Sequence, residues 1–137
     1  MLTANIDDMA GEAFGYLMEK MMQEGALDVS FIPMQMKKNR PAVMVQVVAK
    51  PEEEERLARL LLSESTTVGV RVARKKRYMQ ARAFVRVDTP YGKIDCKIAG
   101  ESARACPEYE QVRAAAQAGG VPFLTVYNAA VSAYSNR

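Results

Sequence analysis

The stretch Thr3-Ala4-Asn5-Ile6-Asp7-Asp8-Met9-Ala10-Gly11-Glu12 places three carboxylates, Asp7, Asp8 and Glu12, within six residues. It lies where a short strand pattern gives way to a helical one. Such a junction sets hard oxygen ligands beside free backbone N–H groups, so it suits a divalent cation, a phosphate or both. The same residues also suit plain helix capping, with Asp7 or Asp8 accepting from the first turn and Glu12 solvated. The chain has no histidine. Chemistry therefore falls to carboxylates, amines, guanidinium groups, hydroxyls or a bound metal, and the serine–histidine and cysteine–histidine nucleophile systems are excluded.

Two further segments carry complementary groups. Met36-Lys37-Lys38-Asn39-Arg40-Pro41 is a basic loop between two strand patterns, with lysines as point charges and an arginine fork for phosphate oxygens. Glu64-Ser65-Thr66-Thr67-Val68-Gly69-Val70-Arg71 puts hydroxyls and a glycine just before a strand pattern. Those groups suit a phosphate or a metal-bound water, although the GxxxxGK[ST] phosphate loop is absent. The plain alternatives for the two segments are a solvated surface loop and an ordinary helix-to-strand turn. From Arg71 to Arg82 six cations run without an acidic residue, against a net charge of only +3 for the chain. Read as a strand, that run has Arg71, Lys75 and Arg77 on one face and Arg74, Lys76 and Arg82 on the other. Clustered cations favour a polyanion. Stacking aromatics are missing from residues 43–48 and 68–72, which counts against a single-strand nucleic-acid reader.

The elements that must position these groups follow from periodicity. Residues 3–7 read as a short strand, followed by an amphipathic helix through Ala10, Ala13, Phe14, Leu17, Met18 and Met21 that ends at Gly25. Leu27, Val29 and Phe31 alternate with Asp28, Ser30 and Ile32, and Val43, Val45 and Val47 resume the alternation. Pro51 opens a second helix with Glu52 to Glu55 in its first turn and Leu57, Leu60 and Leu61 on its buried stripe. Val68, Val70 and Val72 supply a fourth strand. The order strand–helix–strand–strand–helix–strand is the ferredoxin-like βαββαβ arrangement. Beyond it, residues 81–98 read as a β-hairpin turning at Thr89-Pro90-Tyr91-Gly92, followed by a helix from Pro107 to Gly119-Gly120 and another from Pro122 to about Tyr134. The fold class is α+β, with a ferredoxin-like subdomain at 1–77 and a small α+β subdomain at 78–137. Cys96 and Cys106 lack metal-ligand spacing and read as reduced structural thiols. No stretch approaches the ~18 apolar residues of a membrane span, so a cytoplasmic protein is expected.

Taken together, NIDDMAGE at 5–12, GALDV at 25–29, MKKNRP at 36–41, ESTTVGVR at 64–71, TPYGKIDCK at 89–97 and PEYEQV at 107–112 resemble the C-terminal domain of the nickel insertion protein LarC family. The resemblance covers nearly the whole chain. It implies a role in completing the nickel-pincer nucleotide cofactor of lactate racemase. In that family, a CTP-dependent nickel chelatase (a lyase) inserts Ni2+ into a pyridinium bisthiocarboxylic acid mononucleotide. It further implies CTP with Mn2+ or Mg2+ as the ligand of this domain, and an N-terminal, often histidine-rich, domain in the full protein. On that basis the expected nucleotide-binding residues are Lys37, Lys38, Asn39, Arg40, Thr66, Thr67 and Arg71, and the expected metal residues are Asp7, Asp8 and Glu12. Partners expected are CTP, the mononucleotide, the N-terminal domain and further copies of the chain, with no membrane and no nucleic acid. The competing functional classes are a nucleic-acid-binding module and an oligomeric regulatory ferredoxin-like module.

Overall fold

A computed structural model describes residues 1–100 and 104–137. The chain forms two compact units, Met1–Lys76 and Arg77–Arg137.

In the first unit β1 (Leu2–Ile6) leads to α1 (Gly11–Gln23), then to β2 (Asp28–Met36) and β3 (Arg40–Val48). A 3-10 turn at Pro51–Glu53 opens α2 (Glu54–Ser63), and β4 (Arg71–Val72) closes the unit. The strands form one antiparallel sheet in the order β2-β3-β1-β4, which is the ferredoxin-like topology. Alternation along β1 sends Leu2, Ala4 and Ile6 into the core, where they meet Leu17 and Met21 of α1, Leu57 and Leu61 of α2, and Val45 and Val47 of β3. Both helices therefore cover the same sheet face. Full burial of each leucine contributes about 1.5–3 kcal/mol, so this shared face holds the unit together. Gly25, at φ 91, ends α1, with its N–H donating to the Met22 carbonyl and Ala26 N–H to that of Met21.

In the second unit β5 (Arg82–Thr89), β6 (Gly92–Ala99) and β7 (Arg104–Pro107) form an antiparallel sheet in chain order, followed by α3 (Tyr109–Gly119) and α4 (Phe123–Ser135). The Thr89 hydroxyl donates to the Gly92 carbonyl and accepts from Tyr91 N–H, which closes the β5–β6 hairpin. Val87, Ile94 and Cys96 pack against Val112 of α3 and Val126 and Ala130 of α4. Cys96 is buried and Cys106 exposed, and both are free thiols. Among the described residues no helix is long and apolar enough to cross a membrane.

Four local expectations are corrected. The fourth strand is confined to Arg71–Val72, and Val68 is fully exposed outside it. Residues 73–81 have no regular structure, so the basic run is not a strand with two charged faces. The polar interruption at 35–41 shrinks to a three-residue turn, Lys37–Asn39, since Met36 and Arg40 are already paired. Finally, β7 had no counterpart in the sequence reading.

Candidate functional site

The acidic junction follows directly from the end of β1. Its last residue, Ile6, pairs with Val43, and α1 begins only at Gly11, leaving Asp7 to Ala10 as the connection. Ala10 is the residue before the helix and no side chain caps it. The capping explanation for Asp7 and Asp8 is thereby removed: both carboxylates are used at long range instead. Arg40 donates from Nη1 to Asp7 Oδ2 at 3.1 Å, and the Thr66 hydroxyl donates to Asp8 Oδ1.

These two bonds join three segments that are distant in sequence. Asp7 holds the start of β3, and Asp8 holds the loop after α2. The Asp7–Arg40 pair lies near the surface, with 54% of the Arg40 side chain exposed. A pair of that kind contributes about 0.2–1 kcal/mol, so it orients the groups more than it stabilises the fold.

Two clefts flank the junction. One, of about 390 Å³, is lined by Asp8, Met9, Ala10 and the Ser63–Thr66 segment. The other, of about 410 Å³, lies beside Asp7 and is bounded by Gly11, Phe14, Phe31 and Pro41. Phe14 and Phe31 meet edge to face at 5.3 Å between ring centres, which gives that cleft an aromatic wall. The first cleft includes the uncapped end of α1, where unpaired N–H groups and the helix dipole favour an anion.

The turn at Lys37–Asn39 presents exposed side chains. Lys38 sits at φ 62, ψ 24 and Asn39 at φ 56. The left-handed region is tolerable for asparagine but unfavourable for lysine, and residues held there cluster at functional sites. On the other loop the hydroxyls are engaged locally. Ser65 Oγ donates to the Leu61 carbonyl, and Thr67 Oγ1 donates to the Gly69 carbonyl and accepts from Gly69 N–H.

Not every expected residue joins the junction. Arg71 pairs in register with Thr3, four residues before Asp7 on β1, about 13 Å away along a strand. Glu12 is exposed in the first turn of α1, and among the described residues no group of three or more carboxylates, histidines or cysteines is placed to hold a metal ion. Asp7 and Asp8 alone are too few ligands for a metal cage built wholly from protein.

Sequence reasoning missed Asn5 and the apolar wall. Asn5 faces away from the core on β1, two residues from Asp7, and its Oδ1 is buried without a partner among the described residues. The period-two pattern already placed Asn5 on that face, but nothing in the sequence marked its acceptor as unsatisfied.

The second unit has its own charged cluster, which ties β5 and β6 to α3. Arg86 on β5 forms two bonds to Asp95 on β6, at 2.6 and 2.8 Å, from directly opposite in register. Gln111 of α3 donates to Asp95 Oδ2 at 2.9 Å and accepts from Asp95 N–H. The Arg86 bond, then that of Gln111, holds the Asp95 carboxyl down at about 2.

A family described as nickel insertion protein matches residues 1–127. The chain is 42% identical over 132 residues to the pyridinium-3,5-bisthiocarboxylic acid mononucleotide nickel insertion protein of Thermotoga petrophila, covering 94% of this chain and 33% of that one. It is 42% identical over 135 residues to the protein of the same description from Lactiplantibacillus plantarum, covering 97% and 32%. It thus spans about a third of the length of these relatives. Among solved structures it is similar to the C-terminal domain of a cyclometallase involved in the synthesis of the NPN cofactor of lactate racemase, in its apo form. That match has a TM-score of 0.92 at 40% identity, covering 98% of this chain and 94% of that one.

Proposed function

The chain belongs to the nickel insertion protein family, and from that premise we propose that it binds CTP with a divalent cation while nickel is inserted into a pyridinium bisthiocarboxylic acid mononucleotide. The observation that carries this reading is the pair of bonds from Arg40 to Asp7 and from Thr66 to Asp8. They gather the basic turn, the hydroxyl loop and the acidic junction around one strand end.

In this reading the phosphate chain lies over the uncapped start of α1. Lys37 and Lys38 approach it from the turn, and Arg40 offers the guanidinium N–H groups not bound to Asp7. Asp8 and Asp7 are the residues that would hold Mn2+ or Mg2+, through their carboxylate oxygens. When bound, that ion neutralises charge developing on the phosphate oxygens as CTP is cleaved. The lysines hold the same oxygens in a fixed geometry, so little reorganisation is needed at the moment of reaction. Thr66 keeps Asp8 turned toward the cleft, while Thr67 shapes the loop. Arg71, at the far end of β1, reaches the ligand only through its long side chain. A homo-oligomer in the cytoplasm accompanies the reading, and light scattering checks the assembly.

Thermal melting with a panel of nucleoside triphosphates, with and without manganese, tests the proposal. A ligand that binds the native state raises the melting temperature in proportion to the logarithm of its concentration over its Kd. CTP with manganese is expected to raise it more than UTP or ATP, and the Lys37→Ala/Lys38→Ala double variant is expected to lose the shift. An equal response from parent and double variant removes the turn from the site.

A further inference from the structure

One edge of the first unit's sheet is incomplete. β1 has five residues, yet β4 pairs with only two of them, Leu2 with Val72 and Thr3 with Arg71. One step outward, Ala73 N–H donates to the Met1 carbonyl and the Met1 amino group donates to the Ala73 carbonyl. The same register, carried inward, sets Val70 opposite Ala4, Gly69 opposite Asn5, Val68 opposite Ile6 and Thr66 opposite Asp8. Thr66 and Asp8 do meet, through the hydroxyl bond described above. The chain is therefore in register on both sides of residues 67–70, and between them it leaves the sheet.

The detour has a local cause. Hydrogen-bonded pairs in an antiparallel ladder recur at every second residue. Met1 and Ala73 exchange both bonds, so Asn5 and Gly69 are positions that should do the same. No bond joins them among the described residues. Both main-chain groups of Gly69 go instead to Thr67, whose hydroxyl donates to the Gly69 carbonyl at 3.1 Å and accepts from Gly69 N–H at 3.5 Å. Val70, opposite Ala4, packs partly against the core, whereas Val68, opposite Ile6, is 100% exposed. β-Branched residues at 68, 70 and 72 suit a strand, and residues directly opposite share a face, so a completed strand sets Val68 beside Ile6.

We propose that residues 67–70 are a strap with two positions: the Thr67 hydroxyl holds it off the sheet, and on release it zips onto β1, pairing Gly69 with Asn5 and seating Val68 beside Ile6. Closing exchanges two bonds to a hydroxyl for two to the backbone, and sets the burial of Val68 against the freedom lost at Gly69. The residues leading into the strap, Ser63 to Thr66, wall the cleft at Asp8. Closure ties that wall to the main chain of β1, so the strap sets how rigidly the cleft is held. This device rests on no assignment of a ligand to the cleft.

Amide hydrogen exchange, followed residue by residue by NMR on the whole chain without ligand, tests the strap. In the parent, the Asn5 and Gly69 amides are expected to exchange faster than that of Thr3. Thr67→Val removes the hydroxyl at nearly equal volume. It is expected to slow both amides at least tenfold and to bring the Val68 methyls within nuclear Overhauser reach of Ile6. Thr67→Ser keeps a hydroxyl and is expected to exchange like the parent. Val68→Asp puts a charge where only the closed form buries it. Alone it is expected to leave the melting temperature unchanged, and added to Thr67→Val it is expected to restore the parent's rates. The proposal is overturned if Thr67→Val exchanges at the parent's rates, or slows without the contact between Val68 and Ile6. Protection in Thr67→Ser equal to that in Thr67→Val, or a double variant that stays protected, also overturns it. So does a parent whose Asn5 amide is as protected as that of Thr3, or a fall in melting temperature for Val68→Asp alone, since either marks a strap already closed.

Discussion

Lys38 offers the sharpest separation of structural from functional roles. Its backbone, at φ 62 and ψ 24, lies in the left-handed region, where an L-residue with a side chain is disfavoured by roughly 1–2 kcal/mol. Glycine avoids that penalty but gains unfolded-state freedom worth about 0.4–1 kcal/mol. Lys38→Gly should therefore stabilise the protein by about 0.5–1 kcal/mol. For a unit of this size that corresponds to a rise of about 2–8 °C in melting temperature. Lys38→Ala keeps the strained geometry and loses only the ammonium, so it should melt within about 2 °C of the parent. If Lys38 donates to phosphate as proposed, both variants lose one charge-assisted hydrogen bond worth about 1.5–3 kcal/mol, which predicts a Kd for manganese–CTP raised about 10- to 150-fold. Differential scanning calorimetry gives the first comparison and titration calorimetry the second. A glycine variant that melts no higher than the parent refutes the strained-turn argument. Unchanged affinity in both variants refutes the phosphate role.

A methyl group added at Gly11 meets no atom within 4 Å, so Gly11→Ala should not destabilise the free protein; if phosphate lies against the start of α1, the same change should weaken CTP binding several-fold by titration. Thr66→Val removes the hydroxyl that donates to Asp8; the exposed site predicts a stability change within about 0.5 kcal/mol by urea unfolding, together with a several-fold loss in affinity for manganese–CTP. Leu57→Ala opens a void in a fully buried position and should cost about 2–5 kcal/mol in urea unfolding. The Asp95 carboxyl, held at about 2 chiefly by Arg86, is depressed below its unfolded value near 3.8; its contribution is complete above about pH 4 and fades as pH falls toward 2. Asp95→Asn should therefore melt lower than the parent at pH 6, with the difference closing as pH approaches 2. A constant difference across that range would show that the ionised form is not what Arg86 and Gln111 stabilise.

Why the architecture could be read from sequence while the site could not has a physical basis. Strand alternation at Leu2, Ala4 and Ile6, and helical spacing at Phe14, Leu17 and Met21, are local consequences of burying one face. They name the elements without knowledge of their partners, and an antiparallel sheet with two helices on one face then follows from their order. The failures share the opposite property. Val68 and Val70 alternate correctly, yet the strand begins only at Arg71, even though β1 runs on three residues beyond Thr3, the partner of Arg71. The four residues of β7 are too few to display a period. Asp7 and Asp8 look like caps to any local rule, and only the fold reveals that Arg40, 33 positions away, and Thr66, 58 positions away, take their oxygens. The same long-range bonds that hid the junction from local reading are what the proposed nucleotide site rests on. A helix start that kept its carboxylates for capping would have satisfied itself. Here α1 is left uncapped, and the acids are bound to a guanidinium and a hydroxyl that a phosphate and a cation could exchange for better partners.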